Sequence, residues 1–269
     1  MYYLTRTLSR EERVIMLAFK GLYLKDLKIS KGNFLIGMGL LFLIVVFAYG
    51  LRGYFGEPLV PLIFFFAILV LHVLYLPVIL FTSLQLEGQS QLWLHNPNGG
   101  IKLFLSKLGA ALTYYSASLL ATFLLLQFAI STTEISEDLY GMTEVLNNHL
   151  LLVIGGVTLT GIYISVWLLF YWTLYHSLKG IPFLSRIRWL VLLVVWIVIS
   201  TVSNYLAETK VFEVIQEKGT VQLNIFSSQF VDMTGTVGQI NLVSIALHVV
   251  TAIAVFLISV LLLERKVEV

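Results

Sequence analysis

Side chains that could carry out chemistry are few in this 269-residue chain. It contains no cysteine, which excludes disulfides, thiolate metal sites and cysteine nucleophiles. Neither a G-x-x-x-x-G-K-[ST] phosphate-binding loop nor an H-E-x-x-H zinc motif occurs, and no apolar stretch holds a carboxylate pair that could activate water. We therefore expect neither an autonomous ATPase nor an intramembrane protease. The chain is predicted not to be an enzyme and to hold no metal or cofactor of its own.

The five histidines are scattered over different segments, without the spacing of metal ligands. His72 and His248 fall inside apolar stretches, where an ionisable group is costly and suggests a functional role. A neutral imidazole that is hydrogen-bonded to a neighbouring helix costs far less, so a structural role is the preferred interpretation. Proton-coupled transport usually relies on carboxylates within the membrane. The apolar stretches contain none, which disfavours a secondary transporter.

Six apolar stretches dominate a composition that is 58% hydrophobic and only 12% charged. Each approaches or exceeds the roughly 20 residues that cross a hydrocarbon core about 30 Å thick. They lie at about 34–52, 59–84, 108–130, 149–175, 189–206 and 240–263. The sequence therefore predicts an all-α, polytopic membrane protein with six transmembrane helices.

Basic residues lie almost entirely on one side of these stretches. Of 17 Lys and Arg residues, all except Arg52, Lys210 and Lys218 fall in the N-terminal segment, the second and fourth loops or the C-terminal tail. The positive-inside rule then places both termini in the cytosol, and an even number of spans agrees with this. Basic residues at a membrane surface attract anionic headgroups at about 1 kcal/mol each, so membrane lipid is a better partner than nucleic acid.

All 269 residues are predicted to form one transmembrane domain, with segments outside the spans. Residues 1–33 are expected to form a cytosolic, interfacial helix that ends at a Lys-Gly-Asn break at 31–33; the alternative is a plain basic flank. Residues 207–239 are expected on the extracytoplasmic side. They contain short apolar pieces that suit either helices dipping into the membrane or a small surface hairpin, and the pattern does not decide between these.

Two sets of residues in the third and fourth spans have different predicted roles. Small residues four positions apart would let another helix approach closely; they are Gly109, Thr113, Ala117 and Ala121. Polar residues of both spans could line a translocation path or belong to interfacial aromatic belts. The path residues would be Tyr114, Ser118, Tyr163 and Tyr171.

The connector between the second and third spans, residues 85–107, is the most distinctive cytosolic segment. Its Leu92, Trp93 and Leu94 would be exposed on a loop with no apolar core of its own. Such residues indicate either a protein partner or the membrane interface.

Residues 84–108 read LQLEGQSQLWLHNPNGGIKLFLSKL, with a W-L-H-N-P-x-G turn and a lysine-containing start of the third span. This stretch resembles bacterial permease subunits of the second class of ABC exporters, particularly Gram-positive ones. The layout of an interfacial N-terminal helix and six spans is similar too. The resemblance implies that the connector is a coupling helix that binds a cleft of a separate ATPase subunit. The coupling residues would be Glu87, Gln91, Leu92, Trp93, His95 and Asn96.

The same resemblance implies that ATP and Mg²⁺ are bound by the partner ATPase, and that two permease chains pair in the bacterial cytoplasmic membrane as a homodimer or with a sister permease. That family moves peptides, antibiotics, lipids and polysaccharides, and no residue here selects among them. Two other functions stay open at this point: a stand-alone secondary transporter or channel, and a non-transporting membrane sensor or assembly protein.

Overall fold

A computed structural model describes residues 10–90, 99–132, 137–210, 212, 214, 219–222 and 239–266. Six helices account for nearly all of this part of the chain. They are α1 (Arg10–Phe55), α2 (Val60–Ser90), α3 (Gly100–Thr132), α4 (Glu137–Ser177), α5 (Arg188–Ala207) and α6 (Leu242–Lys266). Each contains a segment long and apolar enough to cross a membrane. The predicted all-α, polytopic fold with six spans is therefore confirmed.

Helix α1 is longer than the sequence pattern predicted. It is 46 residues long and continuous through the expected break at 31–33, so that the break is wrong. At a rise of 1.5 Å per residue it extends about 70 Å, more than twice the thickness of a hydrocarbon core. One glycine costs a helix only about 1 kcal/mol, and contacts with other helices offset this. One such contact is the hydrogen bond from Asn33 Nδ2 to Thr82 Oγ1 of α2, at 2.7 Å.

A tight turn joins α1 to α2, as the glycines and proline of the sequence predicted. Helix α1 ends at Phe55, and Gly56 follows with a φ of +70°, the left-handed conformation that glycine adopts without strain. The Gly56 amide donates to the carbonyl of Arg52 at 2.9 Å and closes the helix end. Helices α1 and α2 therefore form a helical hairpin.

Helices α2 and α4 approach each other closely at a glycine. Pro77 lies inside α2 and has no amide hydrogen, which leaves the carbonyl of Val73 without its helical donor. Gly161 of α4 lies against that carbonyl: a Cβ added at Gly161 would be 3.3 Å from the Val73 oxygen. The absence of a side chain at 161 thus sets the spacing of the two helices.

The core divides into two apolar clusters. One is formed mainly by α2, α3 and α4 and includes Phe65, Tyr115 and Leu126. The second lies among α2, α3, α4 and α6, and includes Phe104 and Trp172. Helix α5 contributes to neither, since none of its 20 residues is buried. Its apolar surface must be covered by lipid or by another protein.

Two short strands lie before α6, one within the 207–239 segment and the other beginning at its end. The sequence left this segment open between helices that dip into the membrane and a small surface hairpin. Strand β1 (Thr220–Gln222) pairs antiparallel with β2 (Gln239–Asn241), with Thr220 opposite Asn241. The described part of the segment contains this strand pair as well as helical residues at 210, 212 and 214, so neither alternative alone describes it. Residues 223–238 lie outside the described part of the chain.

Candidate coupling site

A buried cluster of charged residues ties together α1, α2 and α3 near the end of α2 and the start of α3. Lys107 Nζ of α3 lies 2.7 Å from Glu87 Oε2 of α2 and 3.1 Å from Asp26 Oδ1 of α1. Lys25 of α1 also pairs with Glu87. Asp26, Glu87 and Lys107 are 0%, 3% and 3% exposed. We call these four residues the charge cluster.

The charge cluster is balanced, with two carboxylates against two ammonium groups. Two hydroxyls complete its hydrogen bonding: Ser106 Oγ donates to Asp26 Oδ2 at 2.5 Å, and Lys107 Nζ donates to Ser83 Oγ at 3.3 Å. Buried ions that are paired and hydrogen-bonded are tolerated, whereas removing one partner is strongly destabilising. The arrangement therefore fixes the positions of three helices relative to one another rather than offering an uncompensated charge to a substrate.

Sequence reasoning missed the charge cluster. Its partners on different helices are 20 to 81 positions apart along the chain, so no local spacing indicates the pairing. The carboxylates also lie beyond the apolar stretches in which carboxylates were sought. The only signal was that charged residues of opposite sign, Asp26, Glu87 and Lys107, flank three consecutive spans on the predicted cytosolic side.

A second tether holds the start of α3 from the side of α6. The amide of Gly100 donates to Glu264 Oε1 at 2.7 Å. A carboxylate at a helix N-terminus satisfies an unpaired amide and interacts favourably with the helix dipole. A Cβ at Gly99 or Gly100 would lie only 3.3 or 3.2 Å from Glu264, so the Gly-Gly pair leaves room for the carboxylate. We call the end of the bundle that carries the charge cluster and this tether the basic pole.

The structure changes the limits of the predicted connector. Helix α2 continues to Ser90 and α3 begins at Gly100, so residues 85–90 and 100–107 are helical and only 91–99 remain between the two helices. Glu87 was predicted to contact an ATPase, but its side chain is buried and paired within the chain. That assignment is corrected: Glu87 positions helices. The other predicted coupling residues lie outside the described part of the chain; they are Gln91, Leu92, Trp93, His95 and Asn96.

The four predicted path residues lie in different surroundings within this chain. Tyr114 packs on α1, where its hydroxyl donates to the carbonyl of Leu27 at 2.9 Å. Ser118 is buried against α2. Tyr163 and Tyr171 line two different cavities. Tyr114 and Ser118 thus serve helix packing within this chain, and a path lined by these four residues stays a prediction.

The predicted row of small residues on α3 is not the main packing face within this chain. Gly109 and Thr113 contact α1, where the hydroxyls of Thr113 and Tyr23 are 2.7 Å apart. Thr113 and Ala117 are nevertheless exposed, and Ala121 is half-buried. The buried face lies one or two positions away and includes Ala110, Ala111, Tyr115, Ser118 and Thr122. The predicted small residues thus lie at the edge of the contact rather than at its centre.

His72 has structural surroundings, in agreement with the preferred interpretation. Its Nδ1 donates to the carbonyl of Ile68 at 2.8 Å, and its Nε2 lies 3.1 Å from the hydroxyl of Ser118 on α3. His248 instead lies on the exposed side of α6, with its ring 5.3 Å from that of Tyr163. Within the described residues, no group of three His, Asp or Glu side chains could hold a metal ion.

Two large cavities open on the surface of the described bundle. One, of about 840 Å³, lies among α3, α4 and α6 and includes Tyr163 and His248. The other, of about 750 Å³, lies among α2, α4 and α5 near the basic pole, and we call it the aromatic groove. Both have volumes typical of small-molecule sites.

Comparison with known proteins adds one relative to this picture of a multi-pass membrane protein. The chain is 35% identical over 177 residues to YhcE of Bacillus subtilis (strain 168), an uncharacterized protein. The match covers 61% of this chain and spans about 65% of the relative's length. No protein-family model matches the chain. No solved structure matches it.

Proposed function

We propose that this chain is the membrane-spanning permease subunit of an ATP-driven exporter of the ABC type. A separate ATPase subunit would bind ATP and Mg²⁺, and a second permease chain would complete the transporter in the bacterial cytoplasmic membrane. The basic pole would face the cytosol. The substrate class, whether peptide, antibiotic or lipid, is not specified by any described residue.

The observation that carries this proposal is the position of the charge cluster. Glu87 lies near the end of α2 and Lys107 near the start of α3, so the cluster brackets the 91–99 connection from both sides. Asp26 joins α1 to the same unit, and Glu264 joins α6 through Gly100. Force applied to the connection would consequently be transmitted to four helices together, as an ATP-driven change of access to a transport path requires.

Helix α5 supports the second permease chain. It has no buried residue although all but a few of its side chains are apolar. Apolar helices do not associate in lipid through the hydrophobic effect, and a helix with few contacts inside its own chain is held in place by another surface or by lipid. A paired permease would supply such a surface.

The decisive experiment tests Trp93, the largest apolar residue of the connection. Burial of such a side chain on a partner is worth roughly 1.5–3 kcal/mol. The tagged chain, purified in mild detergent, should recover an ATPase with a phosphate-binding loop. Trp93→Ala should reduce this recovery or uncouple ATP hydrolysis from transport, and Trp93→Phe should retain most of both.

Melting of the isolated chain should be unchanged in both variants, since the surface on which Trp93 is proposed to dock belongs to the ATPase. Failure of the unaltered chain to recover an ATPase would refute the permease assignment and favour a stand-alone transporter, a channel or a sensor. Normal recovery and coupling in both variants would refute docking through Trp93. A shifted connection with normal ATPase binding would assign Trp93 to the membrane interface instead.

A further inference from the structure

The aromatic groove is walled by side chains of three helices. Phe81 and Gln85 belong to α2, Trp167, Tyr171 and Trp172 to α4, and Trp189 to α5. Its interior is mostly apolar, with amide and imidazole groups towards the basic pole. A long apolar space that opens between transmembrane helices suits a hydrocarbon chain better than a hydrated solute.

Positive charge lies at one end of the groove. The linker from α4 to α5 and the first residue of α5 carry Lys179, Arg186 and Arg188. Arg188 is held in place because its Nε donates to the carbonyl of Ser185 at 2.9 Å and its guanidinium lies 4.4 Å from the centre of the Tyr175 ring. Both Arg188 and Lys179 are close enough to act electrostatically on His176, which lines the groove.

Lys179, Arg186 and Arg188 have no carboxylate partner within the described part of the chain. The ion pairs found there involve only two basic residues, Lys25 and Lys107. This contrasts with the charge cluster, in which each ammonium is paired. The guanidinium of Arg188 therefore has N–H donors available for an anion at the mouth of the groove.

Exposed aromatic residues place this mouth at the level of lipid headgroups. Phe183 is 76% exposed and Trp189 is 73% exposed. Along the chain, Phe183 precedes Arg186 and Trp189 directly follows Arg188. Exposed aromatic rings interleaved with basic residues at the end of a span are typical of the membrane–water interface. A phosphate in that layer would face the cations while its hydrocarbon chain extends along the groove.

We propose that the aromatic groove binds an acyl chain of an anionic phospholipid from the leaflet at the basic pole, with the phosphate held by Arg188 and Lys179. The occupant is a lipid rather than a free phosphate because the site joins an apolar cavity to cations at headgroup level. This site is independent of whether the chain works with an ATPase.

The test uses the tryptophans as reporters, since Trp167, Trp172 and Trp189, three of the five in the chain, line the groove. The purified full chain is titrated with brominated phosphatidylglycerol and with brominated phosphatidylcholine, and tryptophan quenching is measured. We expect the anionic lipid to quench at lower concentration. One basic residue at a membrane surface corresponds to about a fivefold change in lipid affinity.

Arg188→Gln and Lys179→Gln should each weaken binding of the anionic lipid by about fivefold. Lys179 is exposed, so its replacement leaves the fold intact. The matched control is Lys102→Gln, which removes one positive charge at the same pole away from the groove and should leave affinity unchanged.

Three outcomes would overturn the proposal. Equal quenching by the two lipids, or an equal loss in the Lys102 control, would mean that only general surface charge acts. Protection of the groove by inorganic phosphate alone would show an anion site without a lipid chain. Cross-linking of Trp189→Cys between two copies of this cysteine-free chain, regardless of added lipid, would show that a second copy covers the groove.

Discussion

Replacing Lys107 with methionine should strongly destabilise the protein. The substitution keeps an unbranched side chain of similar size but removes the buried ammonium that contacts both Asp26 and Glu87. The side chains of Asp26 and Glu87 are 1% and 4% exposed, and only Lys25, whose side chain is 35% exposed, would remain beside them. Two buried carboxylates would then share one partly hydrated cation.

Breaking a buried ion pair by removing one partner costs about 3–5 kcal/mol, because the remaining charge stays desolvated. We therefore expect Lys107→Met to lower the free energy of unfolding by about this amount, measured by denaturant titration or melting in detergent. Lys102→Met is the matched control, because Lys102 lies on the same helix, is only half-buried and has no ion pair within the described residues. Its replacement should change the free energy of unfolding by no more than about 0.5 kcal/mol.

A second substitution distinguishes lost charge balance from lost packing. Glu87→Gln in the Lys107→Met background leaves Asp26 opposite Lys25, which is 3.8 Å away, and restores neutrality. The double variant should therefore recover a substantial part of the lost stability. The reasoning is refuted if Lys107→Met costs no more than the Lys102 control, or if adding Glu87→Gln destabilises the protein further.

Three more outcomes are expected. A topology test uses single cysteines and an impermeant reagent added from outside. A cysteine at position 89, in place of Gln89, should be protected, and one in place of Lys218 should be labelled. Labelling at position 89 would reverse the predicted orientation of the chain in the membrane. Gly161→Leu should lower the free energy of unfolding by about 1–3 kcal/mol, because the new side chain would overpack α4 against the Val73 carbonyl of α2. Gly155 has no atom within 4 Å of an added Cβ, so Gly155→Leu should be tolerated. Equal melting temperatures of the two variants would disprove the close approach at Gly161. Tyr114→Phe should cost about 0.5–1.5 kcal/mol by removing the hydrogen bond from its hydroxyl to an α1 carbonyl, and unchanged stability would show that this hydrogen bond contributes nothing.

The sequence predicted the spans well because the requirement that defines them is local. About 20 apolar residues must be consecutive to cross the hydrocarbon core, and all six predicted stretches coincide with helices of the structure to within two residues. The ends of the helices were less predictable. Residues 85–107 predicted a cytosolic loop with short helical pieces, whereas α2 continues to Ser90 and α3 begins at Gly100. These helix ends carry charged groups that find partners within the bundle, as Glu87 and Lys107 do.

Which faces of the helices meet was the part that sequence patterns could not provide. In a soluble protein the apolar face of a helix points inward, but in a span both the lipid face and the buried face are apolar. The spacing of Gly109, Thr113, Ala117 and Ala121 is a genuine helical row, yet the buried face lies beside it. The polar residues Tyr114 and Ser118 likewise indicated a face without indicating which neighbour it meets.

Lipid tails compete with apolar side chains for contact, so apolar packing alone sets the register of neighbouring spans weakly. A small number of polar contacts at fixed heights can set it instead. The charge cluster and the Glu264–Gly100 hydrogen bond fix the basic pole. Within the bundle, His72 pairs with Ser118, and at the opposite end Arg52 Nη2 donates to the Thr132 carbonyl at 3.2 Å.

Helices α1, α2 and α3 are thus held at more than one height, whereas α5 has no buried residue and packs mainly on the end of α4. If the bundle changes shape during a transport cycle, the three tethered helices should therefore move as one body, and the displacement should occur where α5 and the aromatic groove meet α4.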